Sequence, residues 1–337
     1  MQAIVLEGIN HPLRLQEVPD PVPAAGEVLV GLRAAALNHR DVWIQKGQYA
    51  GLRFPCILGS DGAGVVTDAG EGARSLIGQE VILNPGLFWG DDSRFPARDF
   101  RILGLPDDGT FAQRIRIPAS HAHPKPAHLG FEPAAALPLA GLTAYRALFS
   151  RAGLRANEKV LVTGIGGGVA LFALQFALAA GARTWVTSGS DEKLARANQL
   201  GAAGGANYHA VDWPKQLAAQ ASEDGKLPGF DVIIDSAGGE GFRNLIELAA
   251  PGGRIALFGG TRGAWKDISP QRVFYKQLTI LGSTMGSASE FEAMIRFVTT
   301  NRLQPVVDRI FPLSQAEEAL RRMDQAEQFG KLVLTMG

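Results

Sequence analysis

The amino-acid sequence predicts an α/β protein with two domains, one mostly β and one built on a doubly wound parallel sheet. Up to about residue 125, short strand-like runs alternate with Gly and Pro turns. From about residue 131 to 283, strands alternate with helices, which is the pattern of a parallel sheet covered on both faces. The 337 residues, 46% of them hydrophobic, suffice for two cores of ordinary size.

The mostly β module is predicted from the runs QAIVL, EVLVGLRAAAL, AGVVTDAG, QEVIL and FAQRIRIP. The chain after residue 283 returns to helices and short strands, and we expect it to pack on this module. We therefore assign residues 1–126 and 284–337 to one domain and residues 127–283 to the other.

The alternating segment begins with a predicted helix, EPAAALPLAGLTAYRALF. Strand KVLVTG, helix GVALFALQFALAAG, strand RTWVTS, helix DEKLARANQLG, strand FDVIIDSAG, helix EGFRNLIELAA, strand GRIALFGG and a final strand QLTILGS follow it. Strands that alternate with helices of this length predict a Rossmann-type parallel sheet.

Charge and composition exclude several classes of partner. Lys+Arg 33 against Asp+Glu 33 give a net charge of +0, so no basic field attracts nucleic acid or an anionic membrane. The longest apolar runs are shorter than a bilayer requires. The one cysteine, Cys56, cannot form an intramolecular disulfide, and the N-terminus lacks a signal-peptide pattern. We expect a cytoplasmic protein with a small-molecule partner, without nucleic acid or membrane.

A glycine-rich turn follows the strand KVLVTG. Gly164, Gly167 and Ala170 have a G-x-x-G-x-x-A spacing, and further glycines give the turn more freedom. Backbone N–H groups in such a turn can approach a pyrophosphate, and the helix N-terminus adds partial positive charge. A turn that serves only tight packing is the alternative. We assign four residues here to dinucleotide binding: Gly166, Gly167, Gly168 and Val169.

The next strand indicates which dinucleotide binds. Ser188 stands at its end, where an NAD site carries an acidic residue. Ser188 and Ser190 can bond a 2′-phosphate and Lys193 can add charge, so we predict NADPH and add Tyr208 to the site. The alternative makes Ser190 the cap of the next helix and places Lys193 on its solvated face. Asp191 argues against NADPH, although it suits a first helical turn.

The order of motifs resembles that of the medium-chain dehydrogenase/reductase superfamily over essentially the whole chain. The matching stretches are AAGEVLVGLRAAALNHRD, GSDGAGVV, LPLAGLTAYRAL, GIGGGVA and GKLVL. The resemblance implies that the N-terminal module is a GroES-like β-barrel that carries the catalytic site, and that the alternating segment is a Rossmann domain.

The ligand positions for the family's catalytic zinc look substituted. They correspond to Asn38, to Ser60 with Asp61, and to Leu139. Zinc sites draw on Cys, His and carboxylate ligands, and only Asp61 qualifies here. We therefore predict no metal, and we read Cys56 as a small core residue.

The family's second, structural zinc lies in a lobe rich in cysteines, and the matching segment here, residues 84–113, has none. We expect this lobe to be held by its aromatic residues, Phe88, Trp89, Phe95 and Phe100, or by partner contacts. His121, His123 and His128 form another possible metal group, against the alternative of a Pro-rich surface loop.

The closest similarity is to zinc-less NADPH-dependent quinone and enone reductases, and the long lobe is also similar to a bacterial group of zinc-type alcohol dehydrogenase-like proteins. The resemblance implies that Asn38, Trp43 and Tyr49 border the substrate and that Thr143 lies near the nicotinamide. Without a Lewis acid, a quinone or enone is the easier acceptor. We expect Asn38 and Tyr49 to donate to its oxygen, with Tyr49 or water as the proton source. The alternative role of Asn38 is a structural amide, and that of Tyr49 is a wall of the pocket. We expect Asp41 to have a structural role.

Further cofactor contacts are implied by position at the ends of Rossmann strands and near the C-terminus. They are Phe258, Gly259, Gly260, Ser283, Thr284 and Lys331, with Asp235 held less firmly. The family's usual dimer pairs edge strands, for which QLTILGS is the candidate. The expected function is an NADPH oxidoreductase for a quinone, enone or aldehyde. A zinc-dependent alcohol dehydrogenase with atypical ligands and a non-enzymatic NADPH-binding protein are the alternatives.

Overall fold

The computed structural model describes residues 1–222 and 228–337, and its chain divides into two compact units. The first unit comprises Met1–Leu142 and Gly286–Gly337, and the second comprises Thr143–Met285. No helix in the described part of the chain is long and apolar enough to cross a membrane.

Short strands dominate the chain up to residue 145. In chain order the elements are β1 (Gln2–Leu6), β2 (Arg14–Glu17), β3 (Glu27–Ala36), α1 (His39–Gln45), β4 (Cys56–Ile57), β5 (Asp61–Ala69), β6 (Glu80–Leu83), β7 (Gly86–Leu87), β8 (Arg101–Ile102), β9 (Arg114–Pro118), β10 (Ala122–Pro124), α2 (Phe131–Ala136) and α3 (Pro138–Tyr145). The single helix expected over this last part is divided at Pro138, because proline cannot donate to the preceding turn.

Strands and helices then alternate as predicted. The elements are β11 (Lys159–Val162), α4 (Gly168–Ala179), β12 (Arg183–Ser188), α5 (Asp191–Gln199), β13 (Gly204–Asn207), α6 (Trp213–Ala221), β14 (Phe230–Asp235), α7 (Phe242–Leu248), β15 (Ala249–Leu257), α8 (Pro270–Tyr275) and β16 (Thr279–Gly282). The sequence did not predict β13, because the strand GGAN contains no β-branched residue. The helix α6 that follows it was not predicted either.

The C-terminal segment completes the first unit with α9 (Ala288–Thr300), β17 (Val307–Pro312), α10 (Ala316–Asp324) and β18 (Lys331–Thr335). The main sheet of this unit has the strand order β10-β6-β5-β3-β18-β17, with β9 also paired to β3. The first unit therefore joins both ends of the chain. Its boundary at Leu142 lies beyond the expected residue 126, because α2 packs on β3, β5 and β18.

The second unit contains a parallel six-stranded sheet in the order β13-β12-β11-β14-β15-β16. The chain runs outward from β11 through β12 to β13 and then restarts on the other side with β14. This reversal of strand order beside β11 is the switch point at which doubly wound sheets bind ligands. The predicted α/β class and doubly wound sheet are confirmed.

Candidate functional site

A buried polar cluster in the first unit is centred on Asp61, whose side chain has no solvent exposure. Asp61 Oδ1 accepts the backbone N–H of Leu139 at 2.7 Å. Asp61 Oδ2 accepts Asn38 Nδ2 and Lys331 Nζ, both at 2.9 Å. Lys331 Nζ also donates to Asn38 Oδ1 at 2.7 Å. Asn38, Asp61 and Lys331 thus form a closed buried triad, called here the triad.

The sheet brings these three residues together. Asp61 is the first residue of β5 and Lys331 the first of β18, and both strands pair with β3. Ala36, near the end of β3, lies opposite both Asp61 and Val333. Asn38 lies between the end of β3 and the start of α1, so the end of β3 positions it beside Asp61 and Lys331.

Arg40, in the first turn of α1, lies beside this cluster and is only 6% exposed. Its Nη1 donates to Ser60 Oγ at 2.8 Å and to the Leu103 carbonyl at 2.6 Å. Its Nη2 lies 3.5 Å from the Leu105 carbonyl. On the other side, Nε lies 3.4 Å from Tyr49 Oη, and the guanidinium carbon lies 5.0 Å from the centre of the Tyr49 ring.

Asp41 completes the charged group of α1 and is fully buried. Its Oδ2 accepts the backbone N–H of Asn38 at 2.8 Å, whereas its Oδ1 has no hydrogen-bond partner in the described part of the chain. Burial raises the pKa of Asp41 to about 6, against the opposing effect of the Arg40 charge. The structural role expected for Asp41 agrees with its bond to the start of α1.

The residues predicted to border the substrate have different surroundings. Asn38 uses its amide oxygen and one amide hydrogen within the triad. Tyr49 is half-buried against Arg40, and Trp43 is half-buried with its ring edge-on to His39. Thr143 is buried in the second unit, where its Oγ1 lies 4.0 Å from Met285 Sδ. Their substrate contacts stay predictions.

Lys331, predicted to contact the cofactor, is instead 3% exposed and bonds within the triad of the first unit. Sequence position alone could not reveal this partner, because Asp61 lies 270 residues away along the chain. A cofactor contact of Lys331 therefore has no support from its hydrogen bonds.

The three histidines considered as a metal group have separate partners. His121 Nε2 lies 3.2 Å from the Gly86 carbonyl, and His128 Nε2 lies 3.0 Å from the Leu303 carbonyl. The His123 ring packs on Phe291 with centroids 4.9 Å apart. Within residues 1–222 and 228–337, no three His, Cys, Asp or Glu side chains are placed to share a metal ion.

Only half of the aromatic residues expected to hold the lobe of residues 84–113 do so. Trp89 is buried and packs edge-on against Phe100, with centroids 5.2 Å apart. Phe88 and Phe95 are 45% and 57% exposed, and each lies under an arginine, Arg101 and Arg94 respectively. Phe88 and Phe95 therefore do not pack inside the lobe, and the alternative of partner contacts stays a prediction.

The glycine-rich turn of the second unit joins β11 to α4. Gly164 and Gly166 have φ values of +67° and +133°, which favour glycine over other residues. A Cβ on Gly166 would lie 2.9 Å from Lys193 Cδ. Gly167 caps α4, and a Cβ there would meet no atom within 4 Å. The Lys193 side chain therefore lies beside this turn, and its contact with a 2′-phosphate stays a prediction.

The end of β12 holds the residues predicted to select the dinucleotide. Ser188 is buried, and its Oγ accepts the Ser190 N–H at 3.2 Å. Ser190 caps α5 by accepting the Lys193 N–H at 3.3 Å, as its alternative reading stated. Asp191 accepts Asn207 Nδ2 at 2.8 Å, so its carboxylate is held on β13.

Tyr208, the remaining predicted residue here, follows β13, and its ring lies 4.8 Å below the guanidinium carbon of Arg262. Gly189 lies close to Tyr208 Oη, since a Cβ there would be 2.7 Å from it. Arg262 was missed by the sequence reasoning. It follows the predicted segment FGGT directly, so a basic residue beside a predicted cofactor loop was the available signal.

The remaining predicted cofactor residues lie where β15 and β16 end. Phe258 N–H donates to the Asp235 carbonyl at 3.1 Å, and a Cβ on Gly259 would lie 2.6 Å from the Ser236 carbonyl oxygen. Gly260 has open space around it. The Ser283 N–H donates to the Leu257 carbonyl at 2.8 Å, and the exposed Thr284 follows Ser283.

Asp235 has a structural role that agrees with its weaker assignment. Its side chain is 2% exposed, and it accepts Thr163 Oγ1 at 2.6 Å and the Gly238 N–H at 2.8 Å. These bonds tie the ends of β11 and β14 together beside the glycine-rich turn.

Comparison with known proteins agrees with this architecture. The Alcohol dehydrogenase GroES-like domain model matches residues 24–127, and the Zinc-binding dehydrogenase model matches residues 168–300. The zinc-type alcohol dehydrogenase-like protein YogA of Leptosphaeria maculans is 36% identical over 97% of this chain and 95% of its own. An acryloyl-coenzyme A reductase of Metallosphaera sedula is 27% identical over 99% and 100%.

A crystal structure of an NAD-dependent alcohol dehydrogenase superimposes with a TM-score of 0.92 at 40% identity and covers 100% of both chains. The family models together span both units, and the identities extend over nearly the full length of the relatives. This protein belongs to the medium-chain dehydrogenase/reductase superfamily, whose members named here are oxidoreductases.

Proposed function

We propose that this protein is a zinc-independent oxidoreductase that transfers a hydride from NADPH to a quinone or an α,β-unsaturated carbonyl compound. The observation that carries the proposal is the triad, in which the Lys331 ammonium bonds the single carboxylate at the family's zinc-ligand positions.

The residues at the zinc-ligand positions do not fit a metal ion. Both oxygens of Asp61 are occupied by N–H donors. The Ser60 hydroxyl accepts from Arg40 and donates to the Leu103 carbonyl at 2.8 Å. A metal cation there would displace these bonds and face the positive charges of Lys331 and Arg40, which supports a metal-free mechanism.

The glycine-rich turn fits the phosphates of a dinucleotide. Gly167 leaves open space at the start of α4, a helix of 12 residues whose N-terminus attracts anions. Gly166 and Gly167 would present backbone N–H groups to the pyrophosphate, whereas the Gly164 N–H donates to Thr187 Oγ1 at 3.1 Å. Lys193 would add positive charge. When bound, the cofactor supplies a hydride.

NADPH is favoured over NADH by the charges around the end of β12. No carboxylate ends that strand, and Asp191 is held by Asn207. Lys193 lies against Gly166, and Arg262 stacks on Tyr208. These two cations near the end of β12 suit a 2′-phosphate, which an acid at Ser188 would repel.

We choose the chemical class of the acceptor because the residues at the zinc-ligand positions do not fit a metal ion. A quinone or enone delocalises the electron pair of the hydride on to an oxygen, so fixed hydrogen-bond donors can stabilise it. The acryloyl-coenzyme A reductase at 27% identity acts, by its name, on an α,β-unsaturated thioester. This relative supports reduction of an activated double bond.

A second candidate is NAD-dependent oxidation of an alcohol, favoured by the name of the 40% identical solved structure. A non-enzymatic NADPH-binding protein is the third. These candidates differ in cofactor, in turnover and in metal content, so that one set of measurements separates them.

The test combines metal analysis with a kinetic panel. The purified protein, with and without prior chelator treatment, is assayed with NADPH or NADH against naphthoquinones, enones and aldehydes, and with NADP⁺ or NAD⁺ against alcohols. We expect NADPH-dependent quinone or enone reduction that survives chelation, with zinc far below one equivalent. Stoichiometric zinc with alcohol turnover supports the second candidate, and NADPH binding without any turnover supports the third.

We also propose a homodimer that pairs β16 with its copy in a second chain. The strand is an edge of the six-stranded sheet, and the neighbouring α8 exposes Phe274 and Tyr275 by 62% and 85%. An edge strand with exposed aromatics beside it suits pairing with a second chain. Size-exclusion chromatography with light scattering tests this, and a monomer that persists at high concentration contradicts it.

A further inference from the structure

We infer that Arg40 is the group that stabilises the developing negative charge on the acceptor oxygen, through the Nε and Nη2 edge of its guanidinium. This inference rests on the proposed function and deepens it, because it names the chemical class that the site binds: an oxygen that becomes anionic, such as that of an enolate or a hydroquinone. Asn38, the donor expected from the sequence, already uses its amide within the triad.

Arg40 is a buried cation whose guanidinium forms no hydrogen bond to a carboxylate in the described part of the chain, although its charge acts on the neighbouring Asp41. It is 6% exposed, and all four of its hydrogen-bonding contacts are to neutral oxygens of Ser60, Leu103, Leu105 and Tyr49. In the part of the chain that the structure describes, no carboxylate lies within ion-pair distance of its guanidinium. Burying a charge without an ion pair costs free energy. Proteins commonly keep such unfavourable arrangements at functional sites.

The Arg40 guanidinium is fixed by short hydrogen bonds on one edge only. Nη1 makes the short bonds, at 2.8 and 2.6 Å, to Ser60 and the Leu103 carbonyl. Nε and Nη2 make only long contacts, at 3.4 and 3.5 Å. Since adjacent N–H groups of a guanidinium match an anionic oxygen, this second edge is held in position and is available for a stronger acceptor.

The surroundings of the Arg40 guanidinium differ in their exposure to solvent. The residues on the Nη1 edge are deeply buried, with Ser60 at 0% and Leu103 at 2% exposure. Tyr49, beside Nε, is only half-buried. Leu105, beside Nη2, is 4% exposed, so Tyr49 is the most exposed neighbour of the guanidinium and we place the ligand oxygen on its side. There the Tyr49 hydroxyl is placed to give a proton after the charge has formed.

The electron movement in this step is balanced. The β carbon of the acceptor gains the hydride, and the C=C electron pair becomes a bond between the α carbon and the carbonyl carbon. The carbonyl electron pair moves on to oxygen, where Arg40 bonds it. A proton from Tyr49 or water then reaches the α carbon of an enone or the oxygen of a quinone, and solvent restores the proton of Tyr49. With a quinone, the ring carbon that gained the hydride then loses a proton to solvent while the second carbonyl oxygen gains one, which gives the hydroquinone. The acceptor gains two electrons, which come from the bound cofactor.

The kinetic test compares Arg40→Gln and Arg40→Lys with a matched control, Arg53→Gln, which changes an exposed arginine 13 positions further along the chain. Acceptors of graded electron affinity are used with saturating NADPH. Poor acceptors leave more charge on oxygen, so Arg40→Gln should lose about 100-fold in kcat on these. It should lose far less on the best acceptors, and Arg40→Lys should lose less throughout. A uniform loss across the series would assign Arg40 a structural role and overturn the inference.

A binding test needs no turnover. The nonreactive phenol 4-nitrophenol ionises to a coloured phenolate that mimics the anionic product oxygen. We expect wild type and Arg53→Gln to bind the phenolate and lower the pKa of the bound phenol, and Arg40→Gln to do neither. If phenolate binds in this way but no acceptor is reduced, the proposed function fails and the anion site stands. If acceptors are reduced and phenolate binding does not depend on Arg40, the proposed function stands and the inference fails. Near-UV circular dichroism checks that each variant is folded, and Arg40→Lys serves both tests if Arg40→Gln is not.

Discussion

The Lys331 ammonium and the Asp61 carboxylate form an ion pair of 2.9 Å in which the two side chains are only 4% and 0% exposed. The partners come from strands at opposite ends of the chain, and both also bond Asn38. A buried ion pair adds little net stability over an apolar replacement, but removal of one partner leaves the other charge uncompensated.

Lys331→Met should therefore destabilise the fold by about 3 kcal/mol, since Asp61 retains two of its three donors but loses its opposite charge. The matched control is Lys46→Met, which removes a surface ion pair with Asp324 in which both side chains are 40% exposed. The control should cost less than about 1 kcal/mol. Urea unfolding of both variants measures the difference, and equal losses would contradict a special role for the buried pair.

The buried carboxyl of Asp41 predicts a pH dependence of stability. Burial raises the pKa of Asp41 to about 6, so the folded protein keeps this proton to a higher pH than the unfolded chain does. Its contribution to stability is therefore fully present below the unfolded pKa and is lost as the pH rises through about 6.

Relative to Asp41→Asn, wild type should lose about 2 kcal/mol of unfolding free energy between about pH 4 and pH 7. Unfolding curves across this range measure the change. The exposed Asp99→Asn is the control and should run parallel to wild type. If the unfolding free energy of Asp41→Asn changes with pH as that of wild type does, Asp41 has the same pKa in the folded and unfolded states, and the prediction fails.

Gly167→Ala separates a phosphate cradle from a simple tight turn. Gly167 has φ −79° and ψ 159°, and a Cβ there meets no atom of the chain within 4 Å. The fold should tolerate alanine at this position, whereas the added methyl group should clash with a bound pyrophosphate. We expect a free energy of unfolding within about 1 kcal/mol of the wild-type value and a cofactor affinity at least about tenfold weaker.

The control for Gly167→Ala is Gly241→Ala, at the start of α7, where φ is −65° and a Cβ also meets nothing. It should change neither stability nor cofactor affinity by much. Unchanged dinucleotide binding in Gly167→Ala, measured by fluorescence titration, would remove the glycine-rich turn from the cofactor site.

Arg262→Gln tests the preference for NADPH. If the Arg262 guanidinium above Tyr208 contacts the 2′-phosphate, its loss should weaken NADPH about tenfold and leave NADH unchanged. Lys215→Gln, an exposed lysine on α6, is the control for a general change of charge. Equal weakening of both dinucleotides by Arg262→Gln would place Arg262 away from the 2′ position.

The amino-acid sequence by itself determined the features that depend on neighbouring residues. The glycine-rich turn, the strand before it and the helix after it lie within about 20 residues, and their periodicity and backbone freedom are local properties. The same holds for the cap of α5 by Ser190. The strand GGAN of β13 was missed because tertiary pairing with β12, and not its own propensity, makes it a strand.

Only the tertiary structure decided how the polar residues of the first unit are combined. The sequence identified Asn38, Asp61 and Lys331 separately and assigned Lys331 to the cofactor. Their mutual bonds span 270 and 293 residues and depend on β5 and β18 both pairing with β3. The structure likewise shows that Arg40 is buried and bonds only neutral oxygens in the described chain, because exposure and partner distances follow from packing and are not encoded at any one position.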